Sequence, residues 1–432
     1  MMEEQRMNEP VSPNESSSAE TGSLAVIGLG YIGLPTAAMF ASAGVDVTGV
    51  DINPRAVEAV NAGTAHIEEG ELDELVGRCV KAGLLRATTE AVSADNFIIA
   101  VPTPVSPDGD HVPEVAYIRS AGEAIAPKLK KGDLVILEST SPVGTTAMLA
   151  DLFAKARPDL RFPQQAGEEA DVCLAYCPER IIPGKMLQEL VENDRIIGGM
   201  TPRCSARAAD LYKVFVRGTC HISDDRTAEM VKLTENAFRD VNIAFANELS
   251  MICSDLDINV WNVVEFANRH PRVNILNPGP GVGGHCIAVD PWFIVASAPE
   301  RARLIRTTRE INNAKTGFVV EQVEQLMASM PDAKVACLGL TYKPDVDDFR
   351  ESPAFEIATQ LTARHGARVM SADPYAGALG NVAEKPVSLN MASPEDALEA
   401  ADIIVMLVGH TAFRAFPRPE GKQVVDTVGY WR

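Results

Sequence analysis

The sequence has little of what would mark a metal site, a membrane span or an exported protein. Its eight cysteines are scattered and form no CxxC pair, so no metal site is predicted. No apolar run reaches the roughly eighteen residues that cross a bilayer. Residues 1–22 are acidic and Ser-rich, lack the apolar core of a signal peptide, and are predicted to form a disordered tail. We therefore expect reduced thiols in a cytoplasmic protein that has no membrane partner.

Basic residues are also scarce. The chain has 39 Lys and Arg against 59 Asp and Glu, which gives a formal net charge of −20. Such a charge repels nucleic acid and anionic membranes, so neither is an expected partner. It does not exclude a phosphate-bearing ligand, because a binding site needs only a few local cations. The 432 residues, 46% of them hydrophobic, predict a globular protein of two or three domains.

A glycine-rich loop follows the first apolar run, LAVIG at 24–28. This run predicts a strand, the loop opens into an Ala-rich helix, and VDVTGVD at 45–51 predicts a second strand. Gly28, Gly30 and Gly33 have the GxGxxG spacing that allows a tight turn, close approach of a pyrophosphate and helix–strand packing. The pattern predicts a dinucleotide site at the helix N-terminus, and a glycine turn without a ligand is the alternative.

An acidic residue, Asp51, ends the second strand. A carboxylate at this position suits the 2′-hydroxyl of a ribose and repels a 2′-phosphate, so NAD is favoured over NADP. Arg55 lies close by in the sequence and either weakens this exclusion or stacks on the adenine. NAD is therefore the predicted cofactor.

Further apolar runs at 97–101, 133–140 and 170–178 predict strands that end in polar or Pro-containing loops. Ligands of open parallel sheets lie beyond the carboxyl ends of the strands. This topology places four residues near the cofactor: Thr103, Ser139, Thr140 and Glu179. Turn chemistry or helix capping is the alternative reading for each of them.

Residues 219–270 contain neither Gly nor Pro and show apolar residues at helical spacing, which predicts an unusually long helix. Lys232, Asn236 and Arg239 recur on one face of this helix as a polar stripe. A solvated face is the ordinary explanation for such a stripe. The apolar neighbours of these residues, and the lack of compensating Glu–Lys pairs, argue against it.

Residues 333–373 repeat the strand–loop–helix–strand order of the N-terminal part, and ADIIVMLVGH at 401–410 resembles ADNFIIAVPT at 94–103. The fold class predicted is α/β, with two Rossmann-like doubly wound domains joined by a long central helix. The predicted domains are residues 23–218, a central helical domain at 219–315, and residues 316–432. CLGLTYK replaces the glycine motif in the last domain, so we expect it to bind a different nucleotide or none.

A loop with very small side chains surrounds Cys286. VNILNPGPGVGGHCIAVDPWF at 273–293 has four glycines and three prolines. Such a loop lets backbone come close to a partner. Most cysteines are small core residues, so a chemical role for Cys286 needs further support.

That support comes from six motifs that occur in one order along residues 24 to about 430: VIGLGYIGLPTA, ESTSPVGTT, AYCPER, MVKLTENAFRDVNIAFANEL, GPGVGGHCIAVDPWF and YKPDVDDFRESPA. Together they resemble the UDP-glucose/GDP-mannose dehydrogenase family. The resemblance implies an NAD-dependent enzyme that oxidises the C6 alcohol of a UDP-sugar to a carboxylate with two NAD⁺. It further implies a homodimer or a larger homo-oligomer, and a product used for a surface polysaccharide.

The resemblance also implies the catalytic residues. Cys286 matches the nucleophile, which captures the aldehyde as a thiohemiacetal and then forms a thioester. Lys232 matches the residue that transfers a proton or stabilises the C6 oxyanion, and Asn236 would orient the same oxygen or a water. Asp290 resembles a water-linked base, although an Asp before Pro291 could only shape the turn. Glu179 resembles the carboxylate that assists thioester hydrolysis.

The implied binding residues are more numerous. For the cofactor they are Gly28, Gly30, Tyr31, Ile32, Gly33, Asp51, Arg55, Thr103, Thr140, Thr146 and Arg350. For the sugar nucleotide they are Arg180, Ile181, Lys232, Asn236, Arg239, His270, Arg272, Gly283, Tyr342 and Lys343. Arg350 is a further hydrogen-bond donor to the diphosphate. His285 is read as a local hydrogen-bonding residue. One departure is Val428, where the family often has a basic residue; Arg432 is a possible substitute.

Two other classes of function compete with this interpretation. A single-step dehydrogenase of a phosphorylated hydroxy acid also joins a Rossmann domain to a helical one, but it needs neither Cys286 nor a second Rossmann-like domain. An NAD-responsive binding module would need no set such as Cys286, Lys232, Asn236 and Asp290.

Overall fold

A computed structural model describes residues 22–67, 69–106, 111–181, 184–284, 286–381 and 388–432 of the chain. Almost all of the predicted tail at 1–22, and His285, lie outside the described residues. The chain divides into two compact units, Met1–Leu233 and Thr234–Arg432.

The first unit is built on one eight-stranded sheet with the order β3-β2-β1-β4-β5-β6-β7-β8. Its pairings are parallel except for β6 with β7. The strands are β1 (Leu24–Ile27), β2 (Val47–Val50), β3 (Leu85–Thr88), β4 (Asn96–Ile99), β5 (Leu134–Leu137), β6 (Cys173–Tyr176), β7 (Arg195–Gly199) and β8 (Cys220–Asp224). The helices are α1 (Gly33–Ser42), α2 (Pro54–Asn61), α3 (Leu72–Lys81), α4 (Ala116–Ile125), α5 (Thr145–Ala156), α6 (Pro163–Ala166), α7 (Met186–Glu192) and α8 (Pro202–Tyr212).

Helices cover both faces of this sheet, as the alternation along β1 shows. Leu24 and Val26 belong to one apolar cluster, whereas Ala25 and Ile27 belong to another. Successive side chains of a strand point to opposite faces, so both faces of β1 are buried. The order of the strands changes direction at β1, because β2 and β3 lie on one side of it and β4 lies on the other. The carboxyl ends of β1 and β4 are therefore the point where a doubly wound sheet binds its ligand.

The second unit contains a four-stranded parallel sheet with the order β10-β9-β11-β12. Its strands are β9 (Val335–Leu338), β10 (Val369–Ala372), β11 (Ile403–Met406) and β12 (Gln423–Asp426). Its helices are α10 (Val260–Ala267), α11 (Asp290–Ser297), α12 (Arg303–Ser329), α13 (Pro353–His365) and α14 (Pro394–Ala400). The two sheets confirm the predicted α/β class and the pair of Rossmann-like domains.

A 31-residue helix, α9 (Asp225–Asp255), runs from the first unit into the second and confirms the predicted long helix. It ends before residue 270 because Asp257 adopts a left-handed backbone conformation and the Asn259 side chain then caps α10. Its burial pattern is unusual for a helix: Phe238, Phe245 and Ile252 are exposed, whereas six polar residues are buried. These six are Asp225, Glu229, Lys232, Asn236, Asp240 and Asn247. Within the described residues, no helix is both long enough and apolar enough to cross a membrane.

Candidate active site

The three glycines of the first loop have three different surroundings. Gly28 has a φ of 93°, and a Cβ on it would lie 2.4 Å from the Ala100 carbonyl oxygen. A Cβ on Gly33 would lie 1.8 Å from the Gly28 carbonyl oxygen, so this glycine allows α1 to pack close to the loop. Gly30 has no atom within 4 Å of such a position and is exposed. The arrangement suits a pyrophosphate lying over Gly30, at the N-terminus of α1.

Asp51 lies at the carboxyl end of β2, beside this loop. Its Oδ2 accepts a hydrogen bond from the Leu29 N–H at 2.8 Å, and its Oδ1 accepts one from the Asn53 N–H at 2.8 Å. Both bonds hold the half-buried carboxylate next to the glycine loop, where a ribose hydroxyl can reach it. Tyr31 and Arg55 are exposed around it, and Ile32 precedes α1. The residues present therefore fit NAD.

The loops after β4 and β5 are joined to each other. The Thr103 hydroxyl donates to the Thr140 carbonyl at 2.6 Å, and Ser139 Oγ accepts a hydrogen bond from the Val101 N–H at 2.8 Å. Thr146 begins α5 together with Thr145, and both its N–H and its hydroxyl donate to Glu229 Oε1 at 2.8 Å. The donors of Thr146 thus satisfy a buried carboxylate of α9, which is a structural role that the sequence did not indicate.

Glu179 follows β6 and belongs to a buried ionic cluster. Its Oε2 lies 2.7 Å from Nη2 of Arg195, which is the first residue of β7 and is 3% exposed. Glu138, after β5, accepts a hydrogen bond from the Tyr212 hydroxyl at 2.9 Å and lies 3.7 Å from Arg195. The pKa of Glu138 is raised mainly by burial, and the neighbouring Glu179 carboxylate raises it further. The charged start of the otherwise apolar RIIGG segment was the signal in the sequence for this cluster.

On α9, Lys232 and Asn236 are both buried, at 8% and 9% exposure, whereas Arg239 is exposed. Lys232 and Asn236 lie one helical turn apart on the same face. Asn236 Nδ2 donates to Asp290 Oδ2 at 2.5 Å. Asp290 is itself buried and is the first residue of α11. The structure therefore brings two of the predicted catalytic residues into direct contact although 54 residues separate them in the chain.

Cys286 differs from the other cysteines in its exposure. All eight lie within the described residues and none is in a disulfide bond. Among them Cys286 alone is exposed, Cys220 is partly exposed, and the other six are buried. The Cys286 carbonyl accepts hydrogen bonds from the N–H groups of Val289 at 3.1 Å and Asp290 at 2.8 Å. Cys286 therefore lies in a turn that leads directly into α11, four residues before Asp290.

The glycines before Cys286 pack against the segment at 342–353. A Cβ on Gly281 would lie 2.9 Å from Pro353, and one on Gly283 would lie 2.3 Å from the Glu351 carbonyl oxygen. Gly284 has a φ of 81° and faces the Tyr342 ring, where a Cβ would come within 3.0 Å. Larger side chains at these positions would push the loop away from this segment, so close packing within the second unit is one reason for the small residues.

The predicted phosphate-binding cations occupy several places. Arg180 donates to the Asp194 carbonyl at 3.0 Å, next to the partly buried Ile181, and His270 and Arg272 are exposed after α10. Arg350 forms a two-pronged contact with Asp348, with distances of 2.8 and 2.7 Å. The guanidinium of Arg432 lies over the Trp261 ring at 4.9 Å. Lys343 lies 5.8 Å from the Tyr342 ring centroid, beside the Cys286 loop.

The second Rossmann-like domain repeats the Asp51 arrangement in altered form. Asp373, after β10, accepts hydrogen bonds from the N–H groups of Leu340 at 2.6 Å and Tyr375 at 2.7 Å. Here, however, the carboxylate also lies 3.2 Å from Nε2 of His410, which is fully buried. An acceptor covered in this way is less accessible to a ribose than Asp51, consistent with a different nucleotide in this domain.

Comparison with known proteins assigns the three parts of the chain. Models of the UDP-glucose/GDP-mannose dehydrogenase family match at residues 23–216 for the NAD binding domain, 226–314 for the central domain and 336–431 for the UDP binding domain. The chain is 56% identical to a UDP-N-acetyl-D-mannosamine dehydrogenase of Salmonella typhi over 423 residues, covering 95% of this chain and 99% of that protein. It is also 56% identical to an NDP-N-acetyl-D-galactosaminuronic acid dehydrogenase of Ralstonia nicotianae over 410 residues, 94% of this chain and 96% of that protein.

Among solved structures, a UDP-D-ManNAc dehydrogenase of Pyrococcus horikoshii superposes with a TM-score of 0.84 at 38% identity. The match covers 95% of this chain and 96% of that chain. The whole described architecture, rather than one domain, is therefore shared with these enzymes.

Proposed function

Since this chain belongs to the UDP-glucose/GDP-mannose dehydrogenase family, we propose that it oxidises UDP-N-acetyl-D-mannosamine at C6 to the uronic acid, using two NAD⁺. The observation that carries the proposal is the exposed Cys286, set in a turn that ends at the buried Asn236–Asp290 pair. Sequence stretches such as YCPERIIPG and NPGPGVGGHCIAVDPWF also resemble the mannosamine enzymes more than the UDP-glucose enzymes.

In the proposed mechanism, bound NAD⁺ supplies the hydride acceptor for each of two oxidations. Lys232 takes the proton of the C6 hydroxyl while the alcohol becomes an aldehyde. The Cys286 thiolate then adds to the aldehyde carbon to form a thiohemiacetal, which the second oxidation converts into a thioester. Water adds to the thioester, the carbon–sulfur bond breaks, and the acid leaves while Cys286 is restored. Holding the aldehyde on sulfur prevents its escape between the two oxidations.

The other predicted residues have supporting roles in this proposal. Asn236 and Asp290 orient the oxygen or water near C6, and Glu179 assists the attack of water on the thioester. Arg180, Arg239, His270, Arg272, Lys343 and Arg350 supply cations for the diphosphate, within an otherwise acidic chain. We also propose a cytoplasmic location, on the sequence evidence given above.

A second substrate has direct support from the comparisons. The galactosaminuronic acid enzyme of Ralstonia nicotianae is as similar in sequence as the mannosamine enzyme of Salmonella typhi, so overall identity does not separate the sugars. UDP-N-acetylglucosamine and UDP-glucose are the remaining alternatives. These sugars differ in the configuration or substituent of a ring carbon, which a few contacts in a pocket can discriminate.

The proposal is tested by the yield of NADH per sugar consumed. Four reactions would contain UDP-N-acetyl-D-mannosamine or its galactosamine, glucosamine or glucose counterpart, with NAD⁺ in excess. We expect two NADH per sugar and the highest kcat/KM with the mannosamine compound. Two NADH with another preferred sugar would retain the chemistry and change the substrate. One NADH per sugar would indicate a single-step dehydrogenase and contradict the role of Cys286.

We also propose that the chain forms a homodimer through the exposed apolar face of α9. Phe238, Phe245 and Ile252 are spaced seven residues apart, and they are 68%, 54% and 48% exposed. Such a stripe on one helix is self-complementary about a two-fold axis, and large exposed apolar residues in a row indicate an interface.

A charge in the centre of this face is expected to dissociate the dimer. Phe245→Asp would place an unpaired carboxylate in a dry contact, so its mass by light scattering should be that of one chain at micromolar concentration. Tyr117→Asp, at a 47% exposed aromatic on α4, is the control and should keep the parental mass. A parental mass for Phe245→Asp would refute this interface, as would a monomeric parent.

A further inference from the structure

A chain of buried amide groups connects the Cys286 loop to a charged pair between α9 and α12. The Gly279 N–H donates to Asn247 Oδ1 at 2.9 Å, and Asn247 Nδ2 donates to Asn312 Oδ1 at 2.9 Å. Asn312 Nδ2 donates in turn to Asp240 Oδ1 at 2.7 Å. Arg309 completes the chain through a 2.7 Å contact with the same Asp240 oxygen. We call this set, Gly279–Asn247–Asn312–Asp240–Arg309, the amide relay.

The direction of every hydrogen bond in the amide relay is determined by its two ends. A backbone N–H can only donate, so the oxygen of Asn247 must face Gly279 and its NH₂ group must face Asn312. Asn312 must then present its oxygen to Asn247 and its NH₂ group to Asp240. The Asp240 carboxylate, held by Arg309, can only accept. Rotating either amide by 180° would therefore place two acceptors, or two donors, against each other.

The amide relay is shielded from water. Asn247, Asn312, Asp240 and Arg309 are each no more than 2% exposed. A broken hydrogen bond at this depth leaves a polar group without a replacement partner, which makes each bond harder to break than one at the surface. Burial raises the pKa of Asp240, and the Arg309 charge opposes that effect.

The amide relay attaches the Cys286 loop to α9 on one side of Cys286, and a second hydrogen bond attaches it on the other side. Asn247 holds the loop at Gly279, seven residues before Cys286, and Asn236 holds it at Asp290, four residues after. The two asparagines are eleven residues apart, so their attachment points lie about 16 Å from each other along one rigid helix. Cys286 thus lies between two points that are both fixed to the same helix.

We propose that Asn247 is a positioning residue for Cys286, which it holds in place through Gly279 and the amide relay. The part of this inference that calls Cys286 the nucleophile rests on the function proposed above. Asn247 itself is not assigned any contact with the substrate. Its effect is to restrict the loop, because small displacements of a reacting group reduce turnover strongly.

The test is Asn247→Asp, which preserves shape but replaces the NH₂ group with a second acceptor. If Asn312 keeps its orientation, its oxygen faces an oxygen of the new carboxylate. If Asn312 rotates, its oxygen faces the Asp240 carboxylate instead, so two acceptors are in contact in either case. Two quantities would be measured in the full chain: steady-state kinetics, and the rate of Cys286 carbamidomethylation by iodoacetamide, followed by peptide mass spectrometry. We expect kcat to fall at least tenfold, KM for NAD⁺ to stay within twofold, and the alkylation rate of Cys286 to change at least threefold.

The control is Asn262→Asp, which makes the same chemical change at an exposed residue of α10 and should leave both measurements unchanged. Should Asn247→Asp not fold, Gly279→Pro removes the same N–H from the loop side without placing a charge in the core. Lower kcat with unaltered alkylation of Cys286 would overturn the proposal, as would unaltered values of both. Altered alkylation with full turnover would support the positioning role and refute the catalytic role of Cys286.

Discussion

Replacing Cys286 by alanine is expected to abolish formation of the uronic acid, with a loss of turnover on the order of 10³-fold or more. Without the thiolate, the aldehyde from the first oxidation has no covalent anchor, and the thioester cannot form. NAD⁺ binding should persist, because the cofactor loop at Gly28–Gly33 belongs to the other compact unit. The measurements are acid yield by mass spectrometry and NAD⁺ affinity by calorimetry.

The matched control for this substitution is Cys220→Ala, at the other cysteine that is not fully buried. It should retain full activity, since Cys220 lies on the edge strand β8. A normal yield of acid from Cys286→Ala would refute the thioester mechanism outright. A variant that still releases up to one NADH per sugar, without acid, would agree with it and would show that the first oxidation does not need the thiol.

Replacing Lys232 by alanine is expected to lower kcat by about 10²- to 10⁴-fold, the usual contribution of a positioned proton-transfer group. The KM for the UDP-sugar should change much less, because the diphosphate is assigned to other cations. The measurement is steady-state kinetics with each substrate varied. An effect confined to KM would instead make Lys232 a phosphate-binding residue.

Lys232→Arg separates the proposed proton transfer from oxyanion stabilisation, which is the alternative role of this residue. Arginine keeps the positive charge but does not give up a proton in proteins, so it can stabilise an oxyanion but cannot act as a base. Partial activity would favour oxyanion stabilisation, and activity as low as that of Lys232→Ala would favour proton transfer. Lys213→Ala is the control, because this lysine is exposed at the C-terminal end of α8 and its ammonium group lies 3.1 Å from the exposed Asp210 carboxylate.

Most of the strands that the sequence predicted are buried along their whole length. These are β1, β2, β4, β5, β6, β9 and β11. β10, which was also predicted, is buried except at the partly exposed Met370. β3, β7, β8 and β12 were not predicted. β3, β8 and β12 lie at sheet edges and mix apolar with polar or exposed residues, and β7 is a short segment that begins with Arg195 and ends with two glycines. A half-exposed edge strand carries too weak a hydrophobic pattern to be distinguished from a loop.

Some residues of the candidate site could be predicted from the sequence, and others could not. Gly28, Gly30, Gly33 and Asp51 could be assigned from spacing alone, because their roles depend on neighbours within about twenty residues. Cys286 required the whole motif around it, since an isolated cysteine is most often a core residue. Its exposure then came from the structure.

The amino-acid sequence by itself determined the α/β class, the NAD loop, the long helix and the identity of the residues with reactive side chains. Only the tertiary structure decided which of them meet: Asn236 with Asp290, Glu179 with Arg195, and Asn247 with Gly279. The physical reason is the distance along the chain over which each kind of interaction acts. Backbone conformation and hydrophobic periodicity act over a few residues, whereas these hydrogen bonds and ion pairs join groups from different segments of the chain. No local sequence pattern indicates which of these groups will pair.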